Sequence, residues 1–510
     1  MAAVAPDLRR ETTRRAPVPP APRPLDAAAQ DRRRWLALLV LCIGQLMIVL
    51  DATVVNVALP SIQRDLHFTA SSLAWVVNGY LIAFGGLLLL AGRIGDLLGR
   101  RRIFLSGLAA FTAASVLCGL APSGGLLIAA RFVQGMGAAV VSSMVLGILV
   151  TVFPTQRQTA RAMSVYAFVS AGGGSIGLLV GGALTQALSW HWIFFVNVPI
   201  GIAALLLGAA LIPRHEGIGL HHGLDVAGAA LVTAAPSLAI YTILQASEHG
   251  WMTARTALLG AAALGLGALF VAVEARVRTP LMPLRLFRSR NVSGANLVRM
   301  LFPVGLFGSF FLGALYLQNV LGYSPLRTGL AFLPQSTSIA LFSIGVTGRL
   351  VQRFGARAPL IAGLLLVAGG LLLFSRAPMG GSYMVDVLPV TVMLGVGAGL
   401  VFMPSVALSM AGAGAGDAGV ASGLANVALQ FGAALGVAVL AGLASDHTGT
   451  LLARGDSVRA ALLGGYHLGF VVASLCAVVA TVVAVAVLRP APRMQVVTAR
   501  DGAERLAAEA

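Results

Sequence analysis

Gly-Arg-Ile-Gly-Asp-Leu-Leu-Gly-Arg-Arg-Arg, residues 92–102, breaks a long apolar chain with a burst of glycine and charge. The glycines permit a tight reversal between two helices, and Asp96 can pair with the arginines or cap a helix. Gly-Arg-Leu-Val-Gln-Arg-Phe-Gly-Ala-Arg, residues 348–357, repeats the opening, and in both stretches a second glycine stands seven residues after the first. Gly92, Arg93, Asp96, Gly99 and Arg100 are read as a hinge whose charge contacts are made and broken as two parts of the molecule rock. A merely topogenic basic loop is the plainer reading of the same residues.

The composition around this loop belongs to lipid. Of 510 residues, 58% are hydrophobic and 10% charged, where soluble proteins carry about a quarter charged. The net charge is +17, and all 35 basic residues are arginine. Without lysine there is no Walker A lysine and no Schiff-base nucleophile, so no nucleotide or other cofactor is expected. Cys42, Cys118 and Cys476 lie in apolar runs and read as small core residues, with no disulfide framework.

Apolar windows of about 20 residues, enough to cross the hydrocarbon, recur fourteen times between residues 35 and 488. With the N-terminal tail inside, 27 arginines fall in cytoplasmic segments and six in outer loops, as the positive-inside rule requires. Both termini are therefore expected in the cytoplasm. This distribution also accounts for the basic charge without nucleic acid. Residues 1–34, rich in Arg, Pro and Ala, read as a disordered cytoplasmic tail with no cleaved signal peptide. Aligning the two loops divides the rest into a six-helix half (35–212), an inserted helix pair with its loops (213–292), a second six-helix half (293–488) and a cytoplasmic tail (489–510). Two parallel six-helix repeats around a central pathway are the arrangement of major facilitator transporters.

Inside the membrane the charges are few. Leu-Asp-Ala-Thr-Val-Val-Asn-Val-Ala-Leu-Pro (50–60) sets Asp51 in an otherwise apolar span, at a cost of about 2.5–3.5 kcal/mol on insertion scales. Asp51 follows Arg34 by about 25 Å of helix, and Arg131 enters the fourth span from the other side by about 10 Å, so the two can share a depth. A static ion pair, or an arginine that only locks the fourth span, is the plainer alternative. Asp225, Glu274, Asp386 and Asp417 stand at span ends and read as solvated headgroup contacts. Arg299 faces the pathway or snorkels. Gln45, Asn56, Gln134, Asn426 and Gln430 are candidate pathway lining, against the plainer reading of interhelical hydrogen bonds. His215, Glu216, His221 and His222 in the 214–223 loop fit no metal signature.

Several ordered segments together resemble one family. The 92–102 loop, LDATVVNVALP, RFVQGMGAA (131–139), SWHWIFFVNVPIG (189–201), PLMPLRLF (280–287), YLQNVLGYSPLRTGLAFLP (316–334) and ASGLANVALQFGAALG (421–436) resemble the fourteen-span drug/proton antiporters of the major facilitator superfamily. The resemblance covers about residues 35 to 488. It implies an all-α polytopic fold of 14 helices in the cytoplasmic membrane, monomeric, exporting small, largely apolar drugs or antibiotics against protons. It places Asp51 and Arg131 at proton-coupling positions. In the fifth span the family's Gly-Pro becomes Gly177-Leu178, while Gly173, Gly177, Gly181 and Gly182 keep the spacing for close helix approach. An importer or uniporter of the same fold is the first rival. A membrane enzyme or sensor is the remote one, since no catalytic constellation or sizeable soluble segment is visible.

Overall fold

The computed structural model describes residues 24–69, 71–153, 155–213, 217, 219, 225–277, 280–411 and 418–489. Fourteen helices are long and apolar enough to cross a membrane. They are α1 (Pro24–Asp65), α2 (Ala74–Leu98), α3 (Arg100–Gly119), α4 (Gly124–Val152), α5 (Gln156–Ala187), α6 (Trp192–Leu211), α7 (Val226–His249) and α8 (Ala254–Glu274). Then follow α9 (Arg290–Val320), α10 (Pro325–Phe354), α11 (Arg357–Phe374), α12 (Tyr383–Met410), α13 (Ala418–Ala453) and α14 (Val458–Ala486). No strand occurs among the described residues.

The expected tail ends earlier than residue 34. Helix α1 already includes every described residue from Pro24 to Asp65, so residues 24–34 are helical. The histidine loop and Asp417 lie largely or wholly outside the described residues.

The second glycine of each of the two loops has a structural counterpart. Gly99 ends α2 at φ 99° and Gly355 ends the last turn of α10 at φ 78°, a left-handed backbone that glycine alone adopts cheaply. The loop end of the bundle is tied across helices. Arg33 donates to the Ala210 carbonyl at 3.2 Å, Arg101 to the Ala209 carbonyl, and the Arg489 N–H to Asn291 Oδ1 at 2.8 Å. The chain starts α1 and ends α14 at this same end.

Helices α1–α6 pack mainly on one another, as do α9–α14, and two seams join the groups: α5 against α10, and α2 against α13. At the end opposite the loop, the Gln318 amide donates to the Val57 carbonyl at 2.7 Å and the Leu326 N–H to Gln186 Oε1 at 3.3 Å. A Cβ on Gly182 would stand 2.7 Å from the Pro325 carbonyl oxygen, and one on Gly329 2.3 Å from that of Leu178. Small residues thus bring the two backbones into contact and close the bundle at that end. The α7–α8 hairpin leans on the α2–α13 seam, with Gly86 against Thr233 and Gly442 against Ser247.

Candidate functional site

Glycines on α4 build the site. A Cβ on Gly135 would lie 2.3 Å from the Tyr80 carbonyl oxygen, and one on Gly137 2.7 Å from the Phe111 amide nitrogen. Helix α4 therefore lies backbone-close to α2 and α3, which carries Arg131 and Gln134 inward toward α1. Helix α6 contributes through a break: one short piece runs Trp192–Phe195 and a second Asn197–Leu211. Pro199 sits in the first turn of the second piece, where its missing N–H costs no helical bond. The Asn197 amide at the start of the second piece reaches Asp51 of α1.

Asp51 is fully buried and Arg131 is 1% exposed. Arg131 Nη1 donates to Asp51 Oδ2 at 2.5 Å and to Gln134 Oε1 at 2.6 Å, while its Nε donates to the Val76 carbonyl at 3.0 Å. The other carboxylate oxygen accepts from Gln134 Nε2 at 2.8 Å and from Asn197 Nδ2 at 3.3 Å. Gln134 also donates to Ser115 Oγ at 2.8 Å. The guanidinium lies over the Tyr80 ring at 4.4 Å and near the Phe194 ring at 5.8 Å, and each aromatic face favours the positive charge. Five helices thus surround one ion pair, the arrangement that offsets the desolvation of both charges. The Tyr80 hydroxyl and Asn197 Oδ1 have no hydrogen-bond partner among the described residues.

The expected pairing of Asp51 with Arg131 in depth is met by direct contact. Gln134, expected to line the pathway, instead bridges Asp51 to α3. Asn197, Ser115 and Tyr80 escaped the sequence reading. They are neutral residues within apolar windows, and only the packing of α2, α3 and α6 around α4 brings Asn197 to Asp51, Ser115 to Gln134 and Tyr80 to Arg131. Asn197 did lie in a quoted motif, as a polar residue in an apolar run, which was the one signal available.

In the 92–102 loop, Asp96 and Arg100 pair at 2.9 Å, and Arg100 Nη1 reaches across to the Gly147 carbonyl on α4 at 2.8 Å. Arg93 projects from the last two turns of α2, and Gly92 lies in ordinary contact with Ser143 of α4. On α5, Gly173 meets Leu46 and Val49, Gly177 meets Thr53 and Leu50, and Gly181 meets Val54, all on α1, while Gly182 turns to α10. The backbone carbonyl of Leu178, where the family has proline, is the atom Gly329 approaches.

The remaining pathway candidates do not converge. The Asn56 amide donates to the Ala52 carbonyl and that of Asn426 to the Ser422 carbonyl, each on its own helix. Gln45 Oε1 is buried without a hydrogen-bond partner among the described residues, and Gln430 packs against Gly85 of α2. Arg299 neither snorkels nor faces open space. It is 2% exposed, donating to the Ala425 carbonyl at 2.8 Å and to Ser405 Oγ at 3.0 Å. An open recess of about 510 Å³ at the end opposite the loop is lined by Tyr323, Arg327, Tyr383 and Arg459, among others, and by none of these candidates. Asp225 and Glu274 correct the reading of solvated span ends, being 5% and 3% exposed. Asp386 accepts the Ser382 N–H at 2.7 Å, as a cap at the start of α12.

Fourteen apolar helices, twelve of them in two packed groups and one group holding a buried ion pair, have the architecture of a polytopic membrane transporter. The chain belongs to the Major Facilitator Superfamily, whose family model matches residues 41–437. It is a multi-pass membrane transporter and not an enzyme. Relatives include the puromycin resistance protein pur8 of Streptomyces alboniger, 40% identical over 89% of this chain and 91% of that protein. The cephamycin export protein CmcT of Amycolatopsis lactamdurans is 39% identical over 89% and 93%. The tetracenomycin C resistance and export protein of Streptomyces glaucescens is 34% identical over 82% and 77%. In fold, the chain resembles a bacterial homologue of the lysosomal transporter Spinster in an inward-facing state, with a TM-score of 0.64 at 17% identity over 89% of this chain and 96% of that one.

Proposed function

We propose that this chain exports small, largely apolar antibiotic-class molecules in exchange for protons, with the loop end in the cytoplasm and the chain working as a monomer in the cytoplasmic membrane. The observation that carries the reading is the sealed Asp51–Arg131 pair. Ionised Asp51 holds α4 to α1 by a charge-assisted bond. Protonation removes that charge and turns one carboxylate oxygen into a donor, which Arg131 cannot accept. Arg131 then keeps the Val76 carbonyl, Gln134 and the Tyr80 face, and the charged hold of α4 on α1 is lost, leaving the neutral Gln134–Asp51 bond between them.

In this scheme a proton reaches Asp51 while the pathway faces outward, and the released contact lets the two helix groups rock. The bundle closes at the end opposite the loop, the pathway opens to the cytoplasm, and the proton leaves as Arg131 re-forms its pair and substrate loads. Outward return carries the substrate across. The relatives named for puromycin, cephamycin and tetracenomycin C support an antibiotic substrate.

The test is uptake into everted vesicles from a pump-deficient host, with a panel that includes puromycin and a cephamycin. Accumulation that requires an acid vesicle interior supports antiport. Equilibration indifferent to the pH gradient assigns the chain to the uniporter alternative.

A further inference from the structure

We propose that the recess at the end opposite the loop binds one phosphate-bearing anion between Arg327 and Arg459. The inference is independent of the role given to Asp51 and of the exported substrate. The recess holds about 510 Å³, within the range of about 300–1,000 Å³ common for small-molecule sites. Its wall comes from the second helix group: the turn from α9 into α10, the loop from α11 into α12, and the start of α14. Each stretch brings one polar side chain, in turn Arg327, Ser382 and Arg459, and every lining residue lies in the described part of the chain.

These walls are held in place by their own contacts. Tyr323 is buried, its N–H donates to the Leu317 carbonyl at 2.8 Å, and the Arg327 guanidinium stacks over its ring at 3.8 Å. Stacking fixes the guanidinium plane and leaves its N–H edge for in-plane acceptors, the geometry in which arginine meets a phosphate with two bonds. The turn before Arg327 is pinned to α5, where Pro325 and Leu326 meet Gly182 and the Leu326 N–H donates to Gln186. On the α11–α12 loop, the Pro378 carbonyl accepts the Tyr316 hydroxyl at 2.9 Å and Asp386 Oδ2 accepts the Ser382 N–H at 2.7 Å. Ser457 caps α14, its Oγ accepting the Ala460 N–H at 3.3 Å, and Arg459 stands in that first turn.

Two cations that share a recess repel. Each also occupies the first turn of a helix, where the helix dipole disfavours positive charge. The acids on the surrounding loops, Asp386 and Asp456, ion-pair with neither arginine. An anion between the guanidiniums offsets the repulsion and accepts charge-assisted hydrogen bonds from both. A tetrahedral phosphate has oxygens enough for two arginines and the Ser382 hydroxyl together, where a carboxylate has two. Met379 and Met384 line the same recess and are exposed. This apolar border favours a phospholipid headgroup over free phosphate as the source.

The experiment uses the purified full chain with two probes. Phosphatidylglycerol retention is read by native mass spectrometry, and inorganic phosphate binding by the melting temperature in a phosphate-free detergent. Wild type is compared with Arg327→Gln, Arg459→Gln and Arg255→Gln, the last removing a cation from the same end but outside the recess. Expected is about one retained phosphatidylglycerol per wild-type chain, with affinity at least about tenfold lower in either recess variant and unchanged in Arg255→Gln. A saturable melting shift with inorganic phosphate that both recess variants lose, without lipid retention, upholds the site and assigns it to a soluble anion. Binding of neither probe, or equal binding by wild type and both recess variants, overturns the proposal. So does an equal loss in Arg255→Gln, which makes the attraction one of general charge. Both recess arginines are exposed, so near-native melting of the variants without anion is expected and separates loss of the site from loss of the fold.

Discussion

Arg131 Nη1 serves two acceptors at once, Asp51 Oδ2 at 2.5 Å and Gln134 Oε1 at 2.6 Å. Losing the first therefore leaves the arginine hydrogen-bonded to Gln134 and Val76 but without its counter-ion. That asymmetry lets one proton change the hold of α4 on α1 while α4 itself stays anchored to α2 through Val76.

Arg131→Ala removes the cation and leaves Asp51 buried among donors that cannot neutralise it. Breaking a buried pair in this way costs about 3–5 kcal/mol, to be read as a large fall in melting temperature of the solubilised chain. Arg131→Lys, whose compact ammonium cannot reach Val76, Asp51 and Gln134 together, is expected to fold and to transport at least about tenfold more slowly, a loss of about 1.4 kcal/mol at the barrier. Wild-type uptake by Arg131→Lys contradicts the geometry.

Gly182→Val introduces side-chain atoms where the Pro325 carbonyl and Leu326 stand within 3 Å of a Cβ position. The wedge disfavours closure at the end opposite the loop. A penalty of about 1.4 kcal/mol shifts the closed population about tenfold. The readout is labelling of a cysteine placed at Leu326, which is expected to quicken on Gly182→Val by that factor. Unchanged labelling removes Gly182 from the closed contact.

Asp96 and Arg100 are 44% and 30% exposed, so their attraction is worth at most about 1 kcal/mol. Asp96→Asn is expected to leave the melting temperature nearly unchanged and to slow turnover, because Arg100 loses the partner that aims it at Gly147. Stability and transport falling together makes the loop a structural clamp only.

Most of the fold was legible because lipid demands long apolar windows, and the chain interrupts them only where helices turn. Asp51 and Arg131 stood out for the same reason, as charges where charge is costly. Legibility ended where packing decides direction. Asn197 and Ser115 resemble any polar residue in a span until packing brings Asn197 to Asp51 and Ser115 to Gln134. Asp225 and Glu274 look solvated in a linear chain, since only the folded hairpin encloses its own ends.

Arg299→Gln tests the other buried arginine. Its two hydrogen bonds to Ala425 and Ser405 tie α9 to α13 and α12, and losing such charged bonds costs about 1.5–3 kcal/mol each. Lower stability with unchanged substrate affinity is expected. Lost affinity at full stability returns Arg299 to the pathway.

The most direct test of proton coupling uses proteoliposomes holding wild type or Asp51→Asn, with labelled substrate and an imposed pH gradient. Coupling through Asp51 predicts that wild type accumulates substrate on the acid side, while Asp51→Asn exchanges it at zero gradient but only equilibrates it when the gradient is applied. Accumulation by Asp51→Asn equal to that of wild type contradicts the account.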